Sequence, residues 1–235
     1  MITNLAVEHC LSFINTQSRT GDQPGTIGKP VVRRAVTISR QAGCGAVIVA
    51  EKLASYLKER SPEQDSWNVL DRNLMEKVME DHNLPARLAK FLPEDRVSQI
   101  EDIVDDLFEL HPPASEIIRH TTETILKLAE VGNAIIIGRG GNVITAKLPH
   151  VIHVRLVAPL KNRIEHAHRF YNMTETEARK FCLAQDRGRE RYLKKYFGAD
   201  INDPLLYHAV INTGLVSYDY AAKMIGDAIL NSKRG

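Results

Sequence analysis

Ala35-Val36-Thr37-Ile38-Ser39-Arg40-Gln41-Ala42-Gly43-Cys44-Gly45-Ala46-Val47 is the stretch on which the reading of this chain turns. Its opening residues form the short, β-branched run expected of a buried strand. The glycines then let the backbone curl until successive N–H groups point inward, and an apolar pattern at helical spacing follows from about Gly45 to Arg60. Strand, glycine turn and helix in that order can bind phosphate: main-chain amides receive the anionic oxygens and the helix N-terminus adds partial positive charge. Against the pattern G-x-x-x-x-G-K-[ST], Gly45 fills the second glycine, while Arg40 stands at the first, Ala46 at the lysine and Val47 at the hydroxyl residue. Taken alone, the turn also reads as a tight strand-to-helix connection with no ligand.

Working outward, Asn68-Val69-Leu70 reads as a second strand ending at Asp71. Glu94 to Leu110 and Ala114 to Val131 read as two helices separated by Pro112-Pro113, and are expected to belong to an acceptor-side flap over about residues 72–131. Ala134 to Ile137 and Val151 to Leu156 are nearly continuous apolar runs, the pattern of parallel strands covered by helices on both faces. Pro159 opens a helix to about His168, Glu175 to Tyr196 reads as a long charged helix, Val210-Ile211 as a last strand and Tyr218 to Ser232 as a closing helix. This alternation predicts an α/β fold with a doubly wound parallel sheet of about five strands, which binds ligands at the carboxyl ends of its strands.

Composition sets the outer bounds. A chain of 235 residues with 43% hydrophobic and 26% charged residues can bury one sizeable core, taken here as residues 34–232. Residues 1–33 read as a short amphipathic helix on a flexible tether rich in glycine and proline. A formal net charge of +2 argues against a duplex-binding protein, so no nucleic-acid partner is expected. No apolar run approaches the ~20 residues of a membrane span, and a cytoplasmic protein without a membrane partner is expected. Cys10, Cys44 and Cys182 form neither an even set nor a CxxC pair and read as reduced thiols.

Ile38 to Ala46 resembles the variant phosphate turn I-S-R-x-x-G-S-G-G of the cytidylate kinase-like family, a divergent branch of the P-loop nucleoside monophosphate kinases. The resemblance continues through Asn68 to Leu74, Ile135 to Asn142, Val151 to Arg163, Asp186 to Tyr192 and Val210 to Thr213, covering about Arg34 to Leu230. It implies a P-loop-type fold, ATP with Mg²⁺ bound at the turn, phosphoryl transfer to a nucleoside monophosphate such as CMP, and an arginine-bearing lid over about residues 175–200. Cys44 stands where that family usually has serine, and Ala46 where it usually has glycine or, in true cytidylate kinases, lysine.

Phosphoryl transfer needs positioned cations more than covalent help, and the planar fork of arginine suits phosphate. Arg40, inside the turn, is a candidate for the charge that Ala46 lacks; the alternative is a solvent-facing or ion-paired arginine. Gly138-Arg139-Gly140-Gly141 follows a buried-looking strand, and by resemblance Arg139 holds the acceptor monophosphate; a structural arginine in a glycine-rich turn is the alternative. Arg187, Arg189 and Arg191 alternate, so on a helix they cannot share one face. By resemblance Arg187 and Arg189 are the lid candidates, with Asp186 orienting one of them, and Arg163 also in reach; a solvated charged helix is the plain reading. Asp71 is an acceptor contact or a helix cap. His150, His153, His166 and His168 lack the cysteine or carboxylate companions of a zinc site, so no metal ligands are assigned.

The expected function is therefore an ATP-dependent phosphotransferase acting on CMP, dCMP or a related small acceptor. Ser39, Arg40, Gly43, Cys44, Gly45, Ala46 and Val47 contact the donor phosphates, Asp71 and Arg139 the acceptor, and Arg40, Arg187 and Arg189 the transferring group. A homodimer is compatible with this reading. The alternative is a nucleotide-binding sensor that kept the cradle and lost efficient turnover, as the missing lysine and hydroxyl residue would allow.

Overall fold

Strand β1, Ala35–Arg40, is buried along almost its whole length because it lies at the centre of a five-stranded sheet. The other strands are β2 (Asn68–Leu70), β3 (Ala134–Ile137), β4 (Val151–Val157) and β5 (Ala209–Asn212), in the order β2-β3-β1-β4-β5. Every pairing is parallel, with Ile38 opposite Ile137 on one side and Val154 on the other. The computed structural model describes residues 33–60, 66–71, 92–109 and 116–231. The N-terminal helix and tether expected before residue 33, and the part of the expected flap between residues 72 and 91, lie outside the described residues.

Successive side chains of a strand face opposite ways, so the sheet has two apolar faces and each must be covered. On one face, Ala35, Ala134 and Ile136 pack against α2 (Glu94–Glu109) and α3 (Glu116–Val131), through Ile100, Val104, Ile125 and Leu126. On the other, Val36, Ile38, Ile135 and Ile137 pack against α1 (Ala46–Arg60) and the closing helix α7 (Tyr218–Asn231), through Val49, Leu53, Leu57, Ala222 and Ile225. Burying such aliphatic side chains contributes roughly 1.5–3 kcal/mol each, which is what holds the sheet between its helices. The doubly wound parallel sheet expected from the alternation of elements is the observed fold.

Three further α-helices and a 3₁₀ turn at Pro204–Leu206 complete the described chain. A short helix α4 (Gly141–Ile144) follows β3 directly, and α5 (Leu160–Tyr171) with α6 (Glu175–Phe197) forms a hairpin after β4. Asn172 makes the turn between them in a left-handed conformation, and Thr174 then caps α6 in a reciprocal capping box with Glu177. Ile164, Ala167, Ala178 and Cys182 of this hairpin enclose Ala42 of the phosphate turn, so the long charged helix is anchored beside that turn. Among the described residues no helix is long and apolar enough to cross a membrane.

Candidate functional site

The turn after β1 has the geometry its sequence suggested. Gly43 adopts φ 79°, and a Cβ there would collide with the main-chain oxygen of Arg163, so only glycine lets the turn close against α5. Among the described residues, the amides of Gly43, Cys44, Gly45, Ala46 and Val47 donate to no protein group. They surround the mouth of α1, in a cavity of about 90 Å³ whose wall also includes Arg40, Arg189, His166 and Phe170.

Side chains from distant elements hold the turn open. The amide of Ala42 donates to Asp186 Oδ1 at 2.7 Å, while Arg163 Nη1 donates both to the Ala42 carbonyl at 3.1 Å and to Asp186 Oδ2 at 2.7 Å. Gln41 Oε1 accepts from the amide of Ala158 at 3.0 Å, and Thr213 Oγ1 donates to the Cys44 carbonyl at 3.0 Å. The Cys44 thiol is buried and donates to the Gln41 carbonyl at 3.0 Å. Burial pushes that thiol up to about 11 against the opposing pull of Arg40, Arg189 and Arg163, so Cys44 is a neutral staple of the turn. Ala46 is buried and Val47 bears only an apolar side chain, so α1 brings neither a cation nor a hydroxyl to its own N-terminus.

Arginine supplies the charge instead. Arg40 ends β1, and its guanidinium lies so close over Gly138 that a Cβ on that residue would collide with Nη1. Gly138, Arg139 and Gly140 all have positive φ, at 86°, 55° and 75°. For arginine this left-handed geometry costs on the order of 1–2 kcal/mol, a strain that marks functional turns. Arg189 donates to the Arg40 carbonyl at 3.3 Å and to Asp186 Oδ1 at 3.4 Å. Both bonds are long, and they orient Arg189 toward the turn.

A second, larger cavity of about 260 Å³ adjoins the first, walled by Arg139, Asn142, Gln185 and Tyr192. Arg40 and Arg189 line both cavities and stand between them. The structure thus brings together Arg40, Arg139, Arg189 and the amides of the turn. Ser39, expected among the phosphate contacts, lines the larger cavity instead, and its hydroxyl accepts from Arg155 Nη1 at 3.0 Å and from the Tyr207 hydroxyl at 3.3 Å. Arg187 lies on another side of α6, exposed in a shallow hollow with Ala184, Glu190 and Arg191, because two helical steps carry it about 200° around the axis from Arg189. Asp71 follows β2, two strands away from β1, and lines neither cavity. Arg163 is buried as the brace of the turn rather than facing a ligand.

No group of three metal-binding side chains occurs among the described residues. Of the carboxylates, Asp186 reaches the turn, and its oxygens are engaged by Ala42, Arg163 and Arg189. This donor set does not fit a resident Mg²⁺, which prefers oxygen ligands in an octahedral shell.

A model of the cytidylate kinase-like family matches residues 35–215. A cytidylate kinase from Pyrococcus horikoshii is 26% identical over 187 residues, which covers 78% of this chain and 82% of that protein. A uronate isomerase from Corynebacterium glutamicum is 28% identical over 115 residues, 47% of this chain, and the chain spans only 21% of that protein's length. Among solved structures, an uncharacterized protein from Eubacterium ventriosum has a TM-score of 0.58 at 20% identity, covering 85% of this chain and 99% of the other, which is a likeness of fold.

Proposed function

The chain belongs to the cytidylate kinase-like family, and on that premise we propose that it is a phosphotransferase that moves the γ-phosphoryl group of ATP to CMP, dCMP or a related small acceptor. One observation carries the reading: two cavities adjoin, one walled by main-chain amides that have no protein acceptor among the described residues and the other by Arg139, with Arg40 and Arg189 lining both. That is the arrangement an in-line transfer requires, with donor and acceptor on either side of a cationic divide.

In this reading the amides of Gly43 to Val47 hold the donor phosphates. The ring of His166, stacked on Phe170 at 5.4 Å and with its pKa lowered by burial, gives the donor an aromatic wall. Arg139 binds the acceptor phosphate, while Arg40 and Arg189 neutralise the charge that spreads over the transferring group. Asp186 aims Arg189 at that point and fixes the turn through Ala42. Mg²⁺ enters as the counter-ion of ATP, carried by the phosphates and water, and no step is assigned to it. Arg187 takes no part in this arrangement.

A second reading, a nucleotide-binding sensor with little or no turnover, is favoured by the apolar Ala46 and Val47 at the N-terminus of α1. A coupled ATP-consumption assay over a panel of nucleoside monophosphates separates the two. Turnover with CMP or dCMP is the expected result. ATP binding with no turnover on any acceptor would favour the sensor.

A further inference from the structure

Asn142 belongs to no role described so far. It follows Gly141 at the start of α4, lines the larger cavity, and is only 5% exposed. Its carboxamide nitrogen Nδ2 is buried and has no hydrogen-bond partner among the described residues. An unmade bond on a buried amide is costly, and native interiors keep few of them. The position is not a loose one: Thr145 donates both its amide and its hydroxyl to the Gly141 carbonyl, at 2.9 and 2.7 Å, closing the turn that carries Asn142.

We propose that Asn142 is an acceptor-binding residue, whose carboxamide N–H donates to a hydrogen-bond-accepting oxygen of the nucleoside monophosphate held by Arg139. The proposal rests on the reading of the larger cavity as the acceptor site. Asn142 lies three residues beyond Arg139, in the first turn of the helix that follows it, and both line the same cavity, so one molecule there meets both. The final torsion of an asparagine is broad, so the carboxamide turns toward a ligand without leaving its rotamer. Asn142 therefore acts as a selectivity residue: it rewards an oxygen at that point and leaves a donor group facing a donor when the oxygen is absent.

The test is calorimetric titration of the full chain with CMP and, separately, with inorganic phosphate and ATP, comparing wild type, Asn142→Ala and Asn142→Asp. Asn142→Ala is expected to weaken CMP binding about tenfold, and Asn142→Asp by more, because a carboxylate would face an electron-rich oxygen. ATP affinity should be unchanged, and the Tm of Asn142→Ala should be equal to or above wild type, since an unpaired buried amide has been removed. If phosphate binding weakens in parallel, the oxygen belongs to the phosphate; if CMP alone weakens, it belongs to the sugar or base, and either outcome supports the proposal. Equal CMP affinity in all three proteins would overturn it, as would a lower Tm with equal losses for CMP and ATP. A wild-type chain that binds ATP but no nucleoside monophosphate would overturn the acceptor-site reading itself, and this proposal with it.

Discussion

In the proposed transfer, Arg40 is the residue on which turnover is expected to depend most. With Ala46 and Val47 at the start of α1, cationic charge reaches the boundary of the two cavities through Arg40 and Arg189. Arg40→Ala is expected to lower kcat/KM by about 100-fold or more, the scale of removing one preorganised charge from a transferring group, while leaving Tm within a few degrees of wild type. Arg187→Ala, by contrast, should leave turnover close to wild type, because that side chain faces another surface. Steady-state kinetics of the two variants side by side check both statements. Arg40 and Arg139 stood out in the sequence because each lies at the end of an apolar strand beside glycines, whereas Arg189, within α6, stood out through the family resemblance, which also gave Asp186 as orienting one of the lid arginines. The bond from the Ala42 amide to Asp186, 144 positions away, Arg163 as a brace and the buried Nδ2 of Asn142, which has no partner among the described residues, were not legible there, since each depends on how distant parts of the chain come together.

At the scale of elements, α6 carries its own N-terminal cap and, in the proposed function, Arg189. Its capping box ties Thr174 to Glu177 reciprocally, the Thr174 amide donating to Glu177 Oε2 at 2.8 Å and the Glu177 amide donating to Thr174 Oγ1 at 3.3 Å. Gly188 lies within the helix with open space where a Cβ would project, and it lines the larger cavity. Gly188→Ala is therefore expected to stabilise the chain by up to about 1 kcal/mol through helix propensity, while raising the KM for the acceptor. Thermal unfolding and acceptor kinetics measure the two effects separately. Most element boundaries were legible because the buried strands are short β-branched or aliphatic runs and the helices have strong periodicity. The short helix α4 and the 3₁₀ turn at Pro204–Leu206 were not, because three- and four-residue elements offer too few positions for a period to show.

Across the whole molecule, the sheet order places β1 between β3 and β4, so the phosphate turn, the Arg139 turn and the α5–α6 hairpin all emerge at one end of the sheet. At this scale stability depends on pH through His153. It is buried on β4 against Thr37 and His208, with Nδ1 2.8 Å from the Thr37 hydroxyl and the two imidazole rings 5.1 Å apart. Burial, aided by His208, lowers its pKa from 6.5 to about 4. As pH falls through 6.5 the unfolded chain takes up the proton before the folded one, so this contribution to stability is intact above about 6.5 and lost between 6.5 and 4. The loss is on the order of 3 kcal/mol. His153→Gln should flatten the fall of denaturant midpoint across that window, and an unchanged pH profile would remove His153 from the account.

The measurement that tests the phosphate turn most directly is a ¹H–¹⁵N correlation spectrum of the labelled full chain, titrated with ATP and Mg²⁺. The backbone signals of Gly43, Cys44, Gly45, Ala46 and Val47 are predicted to shift together, more than those of any other segment, and to saturate along one binding curve, with the effect weakened in Arg40→Ala. Saturable ATP binding that leaves those five amides unmoved would contradict the account.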